Sequence, residues 1–470
     1  MKKAFSLQNL FLALLILGVL PFLILALFAH PQVDDRWFSN QIHELGFLKS
    51  MATWYLDWHG RYVLSVILSF NPMYFEFVEG YKINPVILLL SYIGSLFLLI
   101  RTVFGEAVTV KEAAIGSLMV LLCFLVAMPG LADGIYWLAA AVCYQFTAVM
   151  ILLLLSLLMR IEIADTNGSP SRNLAVGAAV LIIAITGMNE TSMFFLFILL
   201  VSIATVKFLS RRRVDRMYAI FIALSGVCSL VVMSSPGNSK RIEYYPTRHD
   251  LWFSLKSAFL KLGGDLHQWL FLAPTLVVTM LMIPIALRAA ERRSPGPERL
   301  ACHPGYIVTV TLGLAFACFF LIYWNIGDVY WPVRTENFVF LVFLVGWFYF
   351  AFAMVVHLRK KHGYAMQRLA RYAVPLAVLL TAIPAWNYRN SNLHLALAEL
   401  TDGSLTTYNT EMYKRYGDVR LCPSDYCEVE PLTFRPKSVT FEDITPYFND
   451  YRNVQFAKSF NKRGVAVKLR

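Results

Sequence analysis

Apolar residues in this chain come in long unbroken blocks, separated by short polar stretches, rather than as a stripe at every third or fourth position. Each block is roughly 17 to 25 residues long, the length at which a helix crosses the hydrocarbon layer of a bilayer. Spans of about eleven membrane helices are predicted at 8–29, 85–100, 113–128, 136–159, 174–188, 191–206, 217–234, 269–288, 306–324, 337–357 and 371–387. The expected architecture is an all-α polytopic membrane protein. The first block follows Lys2 and Lys3 but is longer than the apolar core of a signal peptide and has no A-x-A site after it, so it reads as a retained anchor.

Composition agrees: 58% of the 470 residues are hydrophobic and only 15% are charged. The net charge of +12 does not point to nucleic acid, because the cations are scattered between apolar blocks instead of clustered on a soluble face. Their distribution speaks of topology. With a cytoplasmic amino terminus, the inner loops hold 20 of the 42 Lys and Arg residues, including Arg211 to Arg213 and the stretch "HLRKKHGYAMQRLAR", against 10 in the outer connecting loops. An odd number of spans then puts the carboxyl terminus outside. Residues 1–387 form the membrane part, with a long first outer loop at about 30–84, and residues 388–470 form a small α+β extracytoplasmic cap. Strand-like "GDVRL" and helix-like "SNLHLALAEL" belong to that cap. Of the seven cysteines, Cys123, Cys143, Cys228, Cys302 and Cys318 fall in or beside apolar blocks, while Cys422 and Cys427 in "CPSDYC" suit a local disulfide in an oxidising compartment.

This topology sorts the polar residues by side, and the chemically interesting ones fall outside. The first outer loop carries "VDDRWF" with Asp34 and Asp35, then "WYLDWHGRYVLSVIL" with Asp57, His59 and Arg61. Later outer positions carry Asp133, Asn189 with Glu190, "PGNSKR" with Asn238, Lys240 and Arg241, Asp265 with His267, and "GDVYWPVRTEN" with Asp328, Arg334 and Glu336. One shared vestibule is expected to collect them. For Asp133, Asp265 and Asp328 ordinary capping or solvation competes with function, and the rings of Trp54, Tyr55, Trp58, Tyr62, Tyr136, Trp137, Tyr330 and Trp331 are equally what an interfacial belt requires. Three features stand out against that background. Glu190 sits at the membrane boundary with almost no loop around it, where an ionisable group needs a partner. The apolar stretch after Arg61 is too short to span and suits a helix lying in the interface. Lys240 and Arg241 follow a Pro-Gly turn and offer a grip for a phosphate.

An acidic pair directly after the first membrane helix, a long first outer loop, many further spans and an outer carboxyl-terminal part resemble the glycosyltransferase C (GT-C) superfamily, which includes protein O-mannosyltransferases and the lipid A aminoarabinose transferase. "VDDRWF", "WHGRYV", "GMNETS", "PGNSKR" and "PVRTEN", in that order, are similar to a bacterial group of multi-pass proteins placed near that superfamily. The resemblance covers most of the chain in layout, but only these stretches in residues. It implies that the first acid of the first-loop pair, Asp34 here, acts at the reaction centre, and that transfer inverts the anomeric carbon. The superfamily commonly has a different residue after that Asp, so the choice between Asp34 and Asp35 stays open; Asp34 is favoured as base, with Asp35 as a hydrogen-bonding or metal-supporting neighbour.

Sugar transfer from a lipid phosphate passes through an oxocarbenium-like centre, so the acceptor hydroxyl needs a carboxylate to take its proton. The departing phosphate needs cations, for which Arg241, Lys240, Arg334 and Arg61 are the outer-face candidates. Asp57, His59, Asn189, Glu190, Asn238 and Glu336 are candidates for binding substrate, and a divalent cation (Mg or Mn) between the acids is an open option. No Rossmann or P-loop glycine pattern is present, which favours a polyprenyl-phosphate donor over a nucleotide sugar. The expected partners are that donor, a glycan or glycolipid acceptor such as a lipopolysaccharide precursor, and lipid; the expected site is a bacterial inner membrane. A polysaccharide polymerase or ligase, relying on arginines, and a lipid or glycan transporter are the rivals.

Overall fold

A computed structural model describes residues 7–166, 171–243, 249–291, 303–327 and 331–469. Lys2, Lys3, Cys302, Asp328 and Tyr330, named above, lie outside the described residues. The long helices are α1 (Leu7–Leu25), α6 (Ile83–Phe104), α7 (Val110–Ala127), α9 (Thr147–Thr166), α10 (Arg172–Thr186), α11 (Glu190–Arg211), α12 (Arg216–Met233), α14 (Leu251–His267), α15 (Thr275–Glu291), α16 (Pro304–Ile326) and α17 (Val333–Leu380). Among the described residues eight helical segments are long and apolar enough to cross a membrane, or nine if the bent pair 251–272 and 275–291 makes one span. The chain is therefore a multi-pass, predominantly helical membrane protein.

The helices differ from the expected spans in three places, each for a physical reason. The segments expected at 337–357 and 371–387 are joined in α17, whose only non-helical residue is His362 at φ −138° and ψ 51°. Asn337 is bonded through its side chain to Gly130 N and O (2.9 and 2.7 Å), and Asn392 donates to Leu125 O (2.9 Å) and Met128 O (2.7 Å), so residues 337 and 392 sit at the same end of the bundle. A straight helix from 337 to 380 would run roughly 65 Å, and twelve further residues return at most about 43 Å. The helix is thus folded back at His362, with the polar stretch 357–371 at the fold, where Arg359 donates to the Ala290 carbonyl. Second, α14 is a helix where only a polar loop was expected, bent by 62° from α15. Its Lys256, Lys261 and Asp265 lower its hydropathy, while Trp252, Phe259 and Leu260 remain exposed on it, as on a helix lying in the interface. Third, the expected span 136–159 is interrupted at its start by wide π turns at Ala132–Tyr136 and Ala141–Phe146, with α8 (Leu138–Ala140) between them.

The first loop is almost wholly helical: α2 (Val33–Leu45), α3 (Phe47–Asp57), α4 (Tyr62–Ser69) and α5 (Val78–Tyr81). The short apolar stretch after Arg61 becomes α4, which buries Leu64 and Leu68 beneath α2. A Pro-Gly start makes "PGNSKR" a helix, α13 (Pro236–Ile242), rather than a turn. Residues 382–469 continue with α18 (Ala382–Trp386), α19 (Asn392–Thr401), α20 (Ser404–Leu421), β1 (Tyr426–Val429), α21 (Tyr451–Lys458) and β2 (Gly464–Val467). The strands pair in parallel, Tyr426 opposite Gly464 and Val429 opposite Val467. "GDVRL" is not a strand but the last turn of α20, because Met412, Tyr416 and Val419 keep helical spacing and are all buried. Cys422 and Cys427 are joined as a disulfide at the start of β1.

This carboxyl-terminal segment covers α2. Gln32 donates to Val439 O (3.1 Å) and accepts from Phe441 N (2.7 Å) and Glu442 N (3.1 Å), and Asn40 donates to Gln455 O (2.8 Å). His30, buried among Tyr408, Tyr413 and Tyr416, bonds Tyr416 Oη and Asn409 Oδ1, both at 3.1 Å. Burial drives its pKa down to about 3, so it packs as a neutral ring.

Candidate functional site

The acidic pair lies in the first turn of α2, where successive side chains point about 100° apart. Asp35 faces inward and is fully buried: its carboxylate accepts from Gln32 N (2.9 Å), Tyr81 Oη (2.8 Å) and Ala139 N (2.8 Å). Tyr81 Oη also reaches Tyr136 O (3.0 Å) and accepts from Leu138 N (3.0 Å), so Asp35 pins α2 to the interrupted segment around α8. Burial raises Asp35 to about 7, the three hydrogen bonds opposing and Asp34 adding to the rise. Asp34 is different. It is half-buried, and its carboxylate accepts no hydrogen bond among the described residues. Burial raises it to about 6, with Arg334 and Arg61 pulling it down and Glu442 pushing it up. The pair is thus divided between an anchor and a free carboxylate.

Beside it stands a cluster built on Glu190, at the start of α11. Arg61 donates to Glu190 Oε2 through Nε (2.9 Å) and Nη2 (2.6 Å) and to Oε1 through Nε (3.1 Å), and Arg241 Nη2 donates to Oε1 at 2.8 Å. One carboxylate thus holds two guanidinium groups. Cys143 lies within electrostatic reach of Arg61, Glu190, Arg334 and Arg241, which places all four charges around it. Arg334 lies over Trp137 at 5.1 Å, and Trp137 is stacked on Phe441 at 4.4 Å with rings 10° apart. Asp133, Glu442 and Tyr451 complete the surroundings, since Arg334 and Glu442 act on Asp133 and Asp34 acts on Tyr451. Burial raises Asp133 above the ordinary carboxylate range.

The framework residues explain why the loops fold this way. Asn189 caps α11 by accepting from Ser192 N (2.9 Å) and donates to Cys143 O (2.6 Å). Asn238 accepts from Gly60 N (3.4 Å) and donates to Val232 O (2.7 Å). Gly237 and Gly60 let α13 cross the 58–61 loop: a Cβ on Gly237 would strike the backbone of Trp58, and one on Gly60 the carbonyl of Val232. His59 is buried in that crossing, accepts from Arg61 N (3.3 Å), and is held neutral at about 3 by burial, Arg61 and Arg241. Asn189, Asn238 and Nδ1 of His59, expected at the substrate, thus also bond to the protein frame.

Two expected members are elsewhere. Lys240 points away from Arg241, as neighbours on a helix must, and pairs with Asp57 at 2.5 Å on the exposed surface. Glu336, two residues from Arg334 and hence on nearly the opposite side of α17, faces α14 instead. There it accepts from Lys261 (2.8 Å) and Trp331 Nε1 (2.5 Å), and Lys261 also holds Asp265 at 2.7 Å. The single vestibule expected from sequence is thus two clusters, divided by the start of α17. Phe441, Glu442, Tyr451 and Lys261 were not legible as site residues; they arrive from distant segments and no local pattern marks them. Among the described residues no group of three His, Cys, Asp or Glu side chains is placed to hold a metal ion.

Comparison with known protein families, with curated proteins and with solved structures finds no match. The likeness to the GT-C plan therefore rests on the sequence stretches quoted above.

Proposed function

We propose that the protein is an integral-membrane glycosyltransferase that moves a sugar from a polyprenyl-phosphate donor to an acceptor hydroxyl on a cell-envelope glycan or glycolipid. The observation that carries this reading is the uncommitted Asp34 carboxylate, raised to about 6, in electrostatic contact with Arg61 and Arg334 at the bundle end where the first-loop helices gather. Asp34 takes the proton of the acceptor hydroxyl as the glycosidic bond forms, and a base with that affinity is largely ionised at neutral pH yet stronger than an ordinary Asp. Asp35 keeps α2 in place. Arg334, Arg61 and Arg241 offset the charge that develops on the departing phosphate, with Glu190 fixing the last two beforehand. The stacked Trp137 offers an apolar ring face to a sugar.

A place for the lipid supports the same reading. An apolar cavity of about 550 Å³ is bordered by α6, α9, α11, α16 and α17. It begins at Phe195 and Phe338, about one turn beyond Glu190 and Arg334, and reaches Lys207 and Phe352 about 18 Å further along. A prenyl chain lying there would end about one turn short of Glu190 and Arg334, behind the Phe195 and Phe338 rings, which meet edge-on at 5.5 Å. In this reading the chain crosses the membrane eleven times, counting α10 and both arms of α17, with a cytoplasmic amino terminus, the cluster and residues 388–470 on the periplasmic side, and inversion at the anomeric carbon.

The test is reconstitution in proteoliposomes with polyprenyl-phosphate sugars and a membrane glycolipid extract, scored by release of polyprenyl phosphate in parent, Asp34→Asn and Asp35→Asn. Turnover that needs Asp34 supports the assignment. Turnover that survives in both variants but is lost on Arg334→Gln instead identifies a ligase working through its arginines.

A further inference from the structure

Arg36, the next residue after the acidic pair, is 2% exposed and makes no salt bridge among the described residues, with Asp35 and the Tyr416 hydroxyl among the polar groups that act on it. Its guanidinium lies over Phe456 at 4.7 Å and over Tyr416 and Phe460 at 5.4 Å, and its Nε and Nη2 have no hydrogen-bond partner among the described residues. The adjacent Asp35 has both oxygens committed to Gln32, Tyr81 and Ala139. Ring faces offset part of the cost of such burial, but a buried cation without a salt bridge is ordinarily avoided. Arg36 borders a cavity of about 490 Å³ between α2 and the covering helices α20 and α21, on the other side of α2 from Asp34. Arg420, Lys458 and Lys462 stand around that cavity, against Glu44 and Glu76. Lys458 pairs with Glu44 at 2.8 Å, and Lys462 donates to Cys422 O at 2.6 Å. Four cations against two acids leave the cavity positive.

We propose that this cavity is a second binding site, separate from the Asp34 cluster, for a hexose carrying a phosphate or carboxylate group. The anion supplies a counter-charge to Arg36 and Arg420, the partly exposed ring of Phe460 meets the apolar face of the sugar, and the volume suits a ligand of that size. Because one wall is α2 and the other is the carboxyl-terminal segment, occupancy fastens the cover onto the helix that bears Asp34. The proposal does not depend on the transfer reaction.

Titration calorimetry on the full chain in nanodiscs tests it, using glucose 1-phosphate, glucuronate, glucose and inorganic phosphate. Arg420 and Lys458 are exposed, so Arg420→Gln and Lys458→Gln leave folding intact and isolate the site. The expected result is one site per chain for at least one of the two anionic sugars, none for glucose, binding at least about tenfold weaker in the Arg420→Gln/Lys458→Gln double variant, and binding unchanged in Arg334→Gln. Whichever anionic sugar binds identifies the charged group. Equal binding of glucose, inorganic phosphate binding as tightly as the sugar, no binding at all, or loss on Arg334→Gln with none in the double variant overturns the proposal.

Discussion

The two polar clusters on either side of the start of α17 use the same residue types in opposite proportion. Around Glu190, one carboxylate serves two guanidinium groups, with Arg334 near by and Asp34 left over. Around Glu336, two carboxylates share one ammonium, and Trp331 donates to Glu336 from the side. The first arrangement leaves positive charge to spend on a ligand. The second leaves negative charge over, with Asp265 Oδ2 buried and without a partner among the described residues, and ties α14 to α17. A buried charge becomes available for chemistry only where its neighbours do not neutralise it, and Asp34 beside the Glu190 cluster meets that condition.

Breaking each side of this contrast gives graded effects. Glu190→Gln strands Arg61 and Arg241 against each other and is expected to cost about 3 to 5 kcal/mol of stability, read by thermal unfolding in detergent; a loss below 1 kcal/mol would mean the pair does not depend on Glu190. If the proposed transfer holds, Arg334→Gln is expected to lower turnover by about 10² to 10³ with little change in stability, because it removes a cation assigned to the departing phosphate. Unchanged turnover there would remove Arg334 from the site. Asp35→Ala deletes three accepted hydrogen bonds and should destabilise by about 1 to 3 kcal/mol, its turnover falling only as far as α2 shifts. Lys240→Gln is expected to cost less than about 1 kcal/mol, since both partners of the Lys240–Asp57 pair are more than half exposed, and a double-mutant cycle with Asp57→Asn would measure it.

Much of this was legible in the sequence, and the reasons for success and failure are specific. Block length located α1, α6, α7, α11, α12 and α16 to within a few residues, because in lipid the backbone must satisfy itself and the helix is the economical way to do so. Helix α14 escaped, since its apolar side is interleaved with Lys256, Lys261 and Asp265 and block length cannot register a stripe. At the site, Glu190 as a boundary carboxylate in need of a partner was readable, and Arg61 and Arg241 were both named. The division between Asp34 and Asp35 was not, because it depends on Tyr81 and Ala139 reaching Asp35 from elsewhere in the chain. Nor was the parting of Lys240 from Arg241, which follows once "PGNSKR" is recognised as helix rather than turn.

The sharpest measurement pairs activity with stability in Asp34→Asn. Asp34 has its folded-state pKa raised from 3.8 to about 6, so ionising it weighs against the folded state: its contribution to stability is full below about pH 4 and is lost as pH rises through about 6. Turnover runs the other way, rising through about pH 6 as the base ionises. The expected result is that Asp34→Asn is at least about 100-fold less active at pH 8 yet about 1 to 3 kcal/mol more stable than the parent there, the stability gain vanishing near pH 4. A variant that transfers sugar at the parental rate, or one that is inactive because it has unfolded, would contradict the assignment of a strained, available carboxylate to Asp34.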